Sequence, residues 1–229
     1  MIYRQSKLAE ITNKRGKMSY QDQGYSIQNV ITKMDCQAII GLALPLADEE
    51  FKPIVNIHKQ ENLLEEVIIR DYIILEAVQN ALGGEVECIG TMFHYKKPGT
   101  FYGKQAWNPH QDNSYIQADS NAYLSAIISL VDTDEDNGGL YVYPGSHKEP
   151  ILPYIPTPTY CEKPGNKVID IPKHYRKKDL KFKAGDLYLQ HGNLIHGSYP
   201  NKSKKPRYHL GIMYLVRGKS YSKGGARAK

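Results

Sequence analysis

Two kinds of hydrophobic pattern open the chain. Residues 25–31 alternate apolar and polar side chains and predict a short strand. Thr32 follows with Asp35 three positions later, a capping-box pattern that predicts a helix from about 33 to 43. Pro45 is expected to end this helix, because proline cannot continue the helical hydrogen bonding.

A second helix is predicted over 62–82, where apolar residues recur at helical spacing and Gly83-Gly84 supplies the stop. Beyond it, short apolar runs alternate with Gly, Pro, Asn and Asp turns. These runs predict strands near 86–95, 100–106, 109–112, 121–131, 139–143, 166–171, 179–182, 186–190, 194–199 and 207–216. Many short strands after a helical pair predict a mainly β fold with flanking helices, a double-stranded β-helix (jelly roll, cupin-like) core.

The length of 229 residues suits one domain. We expect a helical N-terminal part over about 20–85, a jelly-roll core over about 86–216 and a flexible basic tail over about 217–229. Residues 144–165 contain six prolines and are expected to form a long loop over a cavity mouth.

Composition excludes several protein classes. No run of eighteen apolar residues exists, so a membrane span is not expected, and the N-terminus lacks the apolar region of a secretory signal. Three cysteines are too few for a disulfide framework and have no zinc-knuckle spacing. A cytoplasmic protein without a membrane partner is the expectation, and the oligomeric state is left open.

The net charge of +6 comes from one end of the chain. Residues 201–229 carry nine of the 30 Lys and Arg and no acid, whereas the first 200 residues hold 21 basic and 24 acidic side chains. A solvated tail is the favoured interpretation, and a polyanion-binding arm is the alternative. A nucleic-acid module is disfavoured, because it would interleave aromatic and basic residues along a groove.

The candidate chemistry begins at His110 and Asp112. Residues two apart on a strand project from the same face, so this imidazole and carboxylate are expected to lie side by side. A third ligand is expected from His196, on another predicted strand. Two histidines and one carboxylate with open positions are typical of non-haem Fe(II) oxygenases, and the absence of thiolates disfavours structural zinc.

Arg207 lies eleven residues after His196, across a turn. If the two strands pair as a hairpin, Arg207 falls near Ser198, which faces the same way as His196. A guanidinium beside a hydroxyl suits the distal carboxylate of a dicarboxylic acid. A metal with open positions and such an anchor indicate 2-oxoglutarate as co-substrate.

The order of these motifs resembles the phytanoyl-CoA dioxygenase-like family of Fe(II)/2-oxoglutarate-dependent oxygenases, over roughly residues 20–216. The motifs that carry the resemblance are His110-Gln111-Asp112, Asn137-Gly138-Gly139-Leu140, Pro144-Gly145-Ser146-His147, Gly185-Asp186, His196-Gly197-Ser198 and Arg207. The resemblance implies that His110, Asp112 and His196 bind iron and that Arg207 and Ser198 hold the 5-carboxylate. It also implies O2 as oxidant, with release of succinate and CO2.

Other residues keep two interpretations. The family places a polar residue that touches the co-substrate about sixteen positions before the first ligand; here that residue is His94, for which a role in the core is the alternative. Gln105 and Trp107 are candidates to line the pocket. His191 competes with His196 as third ligand, but only His196 has the serine and the arginine after it. His147 is expected in a turn, and His58, His174 and His209 are treated as surface or core histidines.

The expected function is hydroxylation of a small molecule. Relatives that halogenate have a small residue in place of Asp112, so a carboxylate there favours hydroxylation or another oxidative reaction over halogenation. Desaturation, epoxidation or cyclisation at the same site, and a catalytically silent jelly-roll binding protein, are the alternatives. An anionic substrate is a candidate, because the basic cluster at 174–178 could meet it at the cavity rim; a solvated loop is the alternative for that cluster.

Overall fold

The fold consists of two antiparallel sheets packed face to face, with helices covering the outside of the larger one. A computed structural model describes residues 20–65, 69–159 and 164–222. The larger sheet contains, in spatial order and numbered along the chain, β1 (Tyr25–Asn29), β10 (Asp186–His191), β5 (Tyr123–Ser129), β12 (Arg207–Val216), β3 (Val86–Lys96) and β2 (Ile54–Val55). The smaller sheet contains β4 (Trp107–His110), β11 (His196–Ser198), β6 (Leu140–Val142) and β9 (Lys178–Asp179). The predicted mainly β jelly roll is confirmed.

Alternation along β5 shows how one strand serves two layers. Leu124, Ala126 and Ile128 are buried in the core between the larger sheet and the helices. Ser125 and Ile127 point the other way, between the two sheets, because successive side chains of a strand face opposite sides. Both faces of β5 are therefore covered, which agrees with its mostly apolar sequence. A smaller apolar cluster, which includes Val142 and Phe182, fills part of the space between the sheets.

The helices are short. They are α1 (Lys33–Ala43), α2 (Asn62–Leu64), α3 (Tyr72–Leu82) and α4 (Asn113–Ile116), with three-residue 3-10 turns at Leu44–Leu46, Ile57–Lys59 and Ser146–Lys148. The predicted capping box of α1 is present, with Thr32 and Asp35 bonding each other's backbone N–H. The helix α1 ends at Ala43 as predicted, and Pro45 lies in the 3-10 turn that follows it. Among the described residues, no helix has the length and apolarity needed to cross a membrane.

The single helix predicted over 62–82 is wrong in its middle. The structure separates α2 from α3, and α3 begins afresh after Asp71. The Asp71 carboxylate accepts hydrogen bonds from the backbone N–H groups of Ile73 and Ile74. This cap requires the extended backbone that Asp71 adopts, and a helix cannot continue through a residue in that conformation. The predicted stop at Gly83 is correct.

Nine of the ten predicted strands overlap an observed strand, and 100–106 is the exception. That segment forms consecutive turns, in which the Thr100 hydroxyl accepts a hydrogen bond from the Gly103 N–H. The strand predicted over 25–31 is confirmed as the edge strand β1, and the N-terminal part also supplies the other edge strand, β2, which was not predicted. Of the predicted tail, residues 223–229 lie outside the described residues.

The proline-rich segment 144–165 is more ordered than a plain loop. It includes β7 (Tyr154–Thr157), which pairs with β8 (Gly165–Val168) in a two-stranded ribbon. The ribbon contacts α4, since the Asn166 side chain donates to Ser114 Oγ at 2.7 Å. Residues 160–163 lie outside the described residues.

Candidate active site

A cluster of three buried side chains lies between the sheets, at His110, Asp112 and His196. Each offers one ligand atom, and these atoms all lie within 4.8 Å of one another. Asp112 Oδ1 is 3.4 Å from His110 Nε2 and 3.7 Å from His196 Nε2. The two histidines come together because β4 and β11 are adjacent antiparallel strands in which they are direct partners.

Asp112 reaches the cluster by a different local structure from the one predicted. The strand β4 ends at His110, and Asp112 has helical backbone angles (φ −59°, ψ −33°) at the start of α4. The expected alternation on one strand is therefore wrong, although the two side chains do converge. The turn into α4 is held by Gln111, whose side chain bonds the backbone of Asn193 and Leu152.

Hydrogen bonds orient each candidate ligand. His110 Nδ1 lies 2.7 Å from the Asn108 carbonyl, and His196 Nδ1 lies 3.0 Å from the Leu194 carbonyl. Because a carbonyl only accepts, each Nδ1 carries the proton, and each Nε2 keeps a lone pair for a metal. Asp112 Oδ2 accepts from Ser125 Oγ at 2.9 Å and from Gln190 Nε2 at 3.0 Å, which leaves Oδ1 facing the histidines.

The cluster lies at one side of a cavity of about 60 Å³. Its wall combines the three candidate ligands with apolar surface from Ile127 and Leu140. The remaining lining residues are His94, Trp107, Gln190, Gly197, Ser198, Arg207 and His209.

Ser198 and Arg207 both line this cavity, but they do not form the expected hairpin. β11 belongs to the smaller sheet and β12 to the larger one, so the chain crosses between the sheets and the two residues face each other across the cavity. Arg207 is 3% exposed and forms no ion pair with any described residue. Burial lowers the pKa of its guanidinium to about 10, so it stays charged at neutral pH.

Unpartnered polar atoms indicate what the cavity can accept. Arg207 Nε, His209 Nε2 and Gln190 Oε1 are buried and have no hydrogen-bond partner among the described residues. Such groups are costly unless something pairs with them, so the cavity suits a polar, anionic molecule beside a metal. Iron with a bound dicarboxylic keto acid fits this donor set.

The other residues predicted to line the cavity are His94, Trp107 and Gln105, and the structure places them differently. His94 and Trp107 line the cavity, and His94 Nδ1 lies 3.0 Å from Tyr102 Oη. Gln105 is buried but is not among the residues that line the cavity, and its side-chain amide donates to the Ala106 carbonyl at 2.5 Å. Its contact with the co-substrate stays a prediction.

His191, the alternative third ligand, lies elsewhere, in a separate cleft of about 770 Å³ that His147 also lines. His191 Nε2 is 3.2 Å from Asn121 Oδ1, and burial lowers the pKa of His191 to about 4. His147, in the predicted turn, lies 3.1 Å through Nε2 from the Gln21 carbonyl. His196 is therefore the histidine that joins His110 and Asp112.

Sequence reasoning missed four residues around the cavity. His209, treated as an isolated histidine, lines the cavity on the same face of β12 as Arg207; strand alternation could have shown this. Ser125 and Gln190 orient Asp112, and Lys96 is buried behind Ser198. No motif marks these three, because their contacts depend on strand pairing between distant segments.

A jelly roll holding a His-x-Asp…His cluster and a buried arginine defines the class of non-haem iron, 2-oxoglutarate-dependent oxygenases. The sequence profile described as Phytanoyl-CoA dioxygenase (PhyH) matches residues 32–208, well over half of the chain. This chain belongs to the phytanoyl-CoA dioxygenase family.

Individual relatives agree with that assignment. The chain is 34% identical over 122 residues to "Phytanoyl-CoA dioxygenase" of Arabidopsis thaliana, covering 52% of this chain and 40% of that protein. It is 27% identical over 216 residues to "Phytanoyl-CoA dioxygenase, peroxisomal" of Bos taurus, covering 81% of this chain and 63% of that protein. The chain thus spans less than two thirds of these curated relatives.

The fold is also similar to solved structures. The epimerase SnoN, in complex with Fe3+, alpha ketoglutarate and nogalamycin RO, superposes with a TM-score of 0.77 at 17% identity. The match covers 93% of this chain and 86% of SnoN. At this identity the similarity concerns the fold.

Proposed function

We propose that this chain is an Fe(II)- and 2-oxoglutarate-dependent dioxygenase that hydroxylates a small molecule and releases succinate and CO2. The observation that carries the proposal is the meeting, in one cavity, of a buried His-Asp-His cluster and a buried arginine without a counter-charge among the described residues. The first suits the metal, and the second suits the far carboxylate of the keto acid.

In this proposal His110, Asp112 and His196 hold the iron through Nε2, Oδ1 and Nε2. The hydrogen bonds from Nδ1 to backbone carbonyls keep both rings oriented, and Ser125 and Gln190 keep Oδ1 turned inward. When bound, the iron and co-substrate supply the oxidising chemistry, in which one oxygen atom enters a substrate C–H bond and the other enters succinate.

The co-substrate is proposed to span the cavity, with its 5-carboxylate between Arg207 and Ser198. Arg207 can give two parallel hydrogen bonds to a carboxylate, and the Ser198 hydroxyl can give one more. His94 is a proposed further contact, since it lines the same wall. Ile127 and Leu140 keep water away from the reacting centre.

The proposed substrate is a small anion. The exposed side chains of Arg176, Lys177 and Lys178 are the proposed groups that attract such an anion. The proposed compartment is the cytoplasm, which cell fractionation with an antibody against the chain would test.

The experiment is an uncoupled-turnover assay. Wild-type protein with Fe(II) and carboxyl-labelled 2-oxoglutarate is expected to release labelled CO2 in air, faster with the correct anionic substrate, whereas Asp112→Ala releases none. Mass spectrometry of the product then distinguishes reactions: hydroxylation adds one oxygen atom, and desaturation or ring closure removes two hydrogens. Release of CO2 equal to that of Asp112→Ala would instead indicate a silent binding protein and contradict the proposal.

A further inference from the structure

A second cation lies directly behind the proposed carboxylate anchor. Lys96, on β3, is the direct strand partner of Arg207 on β12 and is 0% exposed. Its Nζ donates to Ser198 Oγ at 2.8 Å and to the Tyr199 carbonyl. No described carboxylate forms an ion pair with Lys96 or Arg207, so these two basic residues lie on paired strands without a counter-charge among the described residues.

A neighbouring glycine turn leaves space for the Lys96 side chain. Its stem runs over Gly138, in the Asn137-Gly138-Gly139 turn, where a Cβ would lie 2.6 Å from Lys96 Cδ. Gly138 also has φ +92°, a conformation that favours glycine. Asn201 donates to the Lys96 carbonyl at 2.6 Å and fixes the backbone there. The glycine turn that marks the family resemblance thus makes room for Lys96 in this chain.

The contact between Lys96 and Ser198 restricts how the serine hydroxyl can form hydrogen bonds. An ammonium has three donors and no acceptor, whereas a serine hydroxyl has one donor and two acceptor sites. When Ser198 Oγ accepts from Lys96, its own proton must go to another acceptor. Lys96 is not among the residues that line the cavity, so it acts on a bound molecule through Ser198 and by its charge.

Keeping this lysine is costly without an anion. Burial and the neighbouring Arg207 hold the pKa of Lys96 well below its usual range. A carboxylate bound beside Arg207 would supply the missing negative charge and favour the ammonium form.

We propose that Lys96 is a positioning residue that commits the Ser198 hydroxyl to donate toward the distal carboxylate of the co-substrate, and so selects dicarboxylic over monocarboxylic 2-oxo acids. The inference rests on the proposed function, because it takes 2-oxoglutarate as the bound acid. It predicts a loss of selectivity, which a purely structural role of Lys96 would not produce.

The test compares two acids that differ at one end. 2-Oxoglutarate and 2-oxopentanoate share the keto acid head, but the second has a methyl group where the first has its distal carboxylate. Binding to the full chain is measured without oxygen and with Mn(II) in place of iron. Trp107, the one tryptophan of the chain, lines the cavity and serves as the fluorescent reporter.

For Lys96→Met we expect the Kd for 2-oxoglutarate to rise about tenfold or more, and the Kd for 2-oxopentanoate to stay within about threefold. The exposed Lys104→Met is the matched control, with both values unchanged. In a Ser198→Ala background, Lys96→Met should add less than about threefold, since the two residues act as a unit. Should Lys96→Met fail to fold, as judged by circular dichroism, Lys96→Gln is measured in its place.

An equal weakening of both acids would overturn the inference, because it would assign Lys96 a structural role. Unchanged 2-oxoglutarate binding in the variant would overturn it as well. In both cases wild-type binding, and with it the proposed function, would stand. If wild-type protein with Mn(II) binds neither acid, the proposed function itself fails.

Discussion

Replacing Arg207 by methionine should change two properties in opposite directions. The substitution removes the guanidinium and keeps a long, flexible side chain in its place. Arg207 is 3% exposed, and its Nε has no partner among the described residues. The free protein therefore buries a charge that has no carboxylate partner among the described residues.

The size of both effects follows from that burial. Losing one partner of a buried charge pair costs about 3–5 kcal/mol, so we expect the Kd for 2-oxoglutarate to rise roughly 150- to 5,000-fold. In the free protein, burial lowers the pKa of Arg207 from 12.5 to about 10. A basic group whose pKa is lower in the folded than in the unfolded protein makes the folded state less stable at pH values below the folded pKa. For Arg207 the shift corresponds to roughly 3 kcal/mol in the free energy of unfolding. Arg207→Met should therefore stabilise the free protein by up to about that amount.

Two assays on the same protein check the two signs. Trp107 fluorescence with Mn(II) gives the Kd, and thermal unfolding by circular dichroism gives the Tm, which should rise by roughly 5–10 °C at most. Arg217→Met is the control, because the Arg217 side chain is 67% exposed and its ion pair with Glu85 lies at the surface. A variant that binds 2-oxoglutarate within about threefold of wild type, or that loses stability, would refute the reasoning.

Four further substitutions separate the site from the scaffold. Ser125→Ala should weaken Mn(II) binding about tenfold in a metal titration, because Asp112 loses an orienting hydrogen bond; an unchanged affinity would count against that role. His191→Ala should leave Mn(II) affinity within about threefold, and a large loss would reopen its candidacy as a ligand. Gly24→Ala should lower the Tm without altering the Kd for 2-oxoglutarate, since a Cβ at φ +81° would lie 2.6 Å from His147 Nδ1. Asp71→Ala should cost about 1 kcal/mol in urea unfolding, as a lost helix cap, and no loss would contradict the capping account.

Local signals made much of the fold predictable. The capping box before α1 needs only Thr32 and Asp35, and the second half of β12 is visible as a run of apolar residues. The site could be predicted for a similar reason, because His110, Asp112 and His196 belong to motifs with fixed spacing. Sequence patterns of this kind report neighbours along the chain.

What could not be predicted depends on how distant strands pair. Lys96 meets Ser198 only because β3 pairs with β12 while β11 lies in the opposite sheet. Ser125 and Gln190 reach Asp112 because β5 and β10 are neighbours with these two residues in register. The break between α2 and α3 was hidden for another reason, since Asp71 caps a new helix inside an apolar pattern that continues across it.

We propose that His110, Asp112 and His196 hold one metal ion beside a bound keto acid. The visible spectrum of the protein after anaerobic addition of Fe(II) and 2-oxoglutarate tests this arrangement. A weak absorption band in the green is expected for the wild-type chain and for His191→Ala, and no band for Asp112→Ala. A band that persists in Asp112→Ala, or one that never forms in the wild type, would contradict the account.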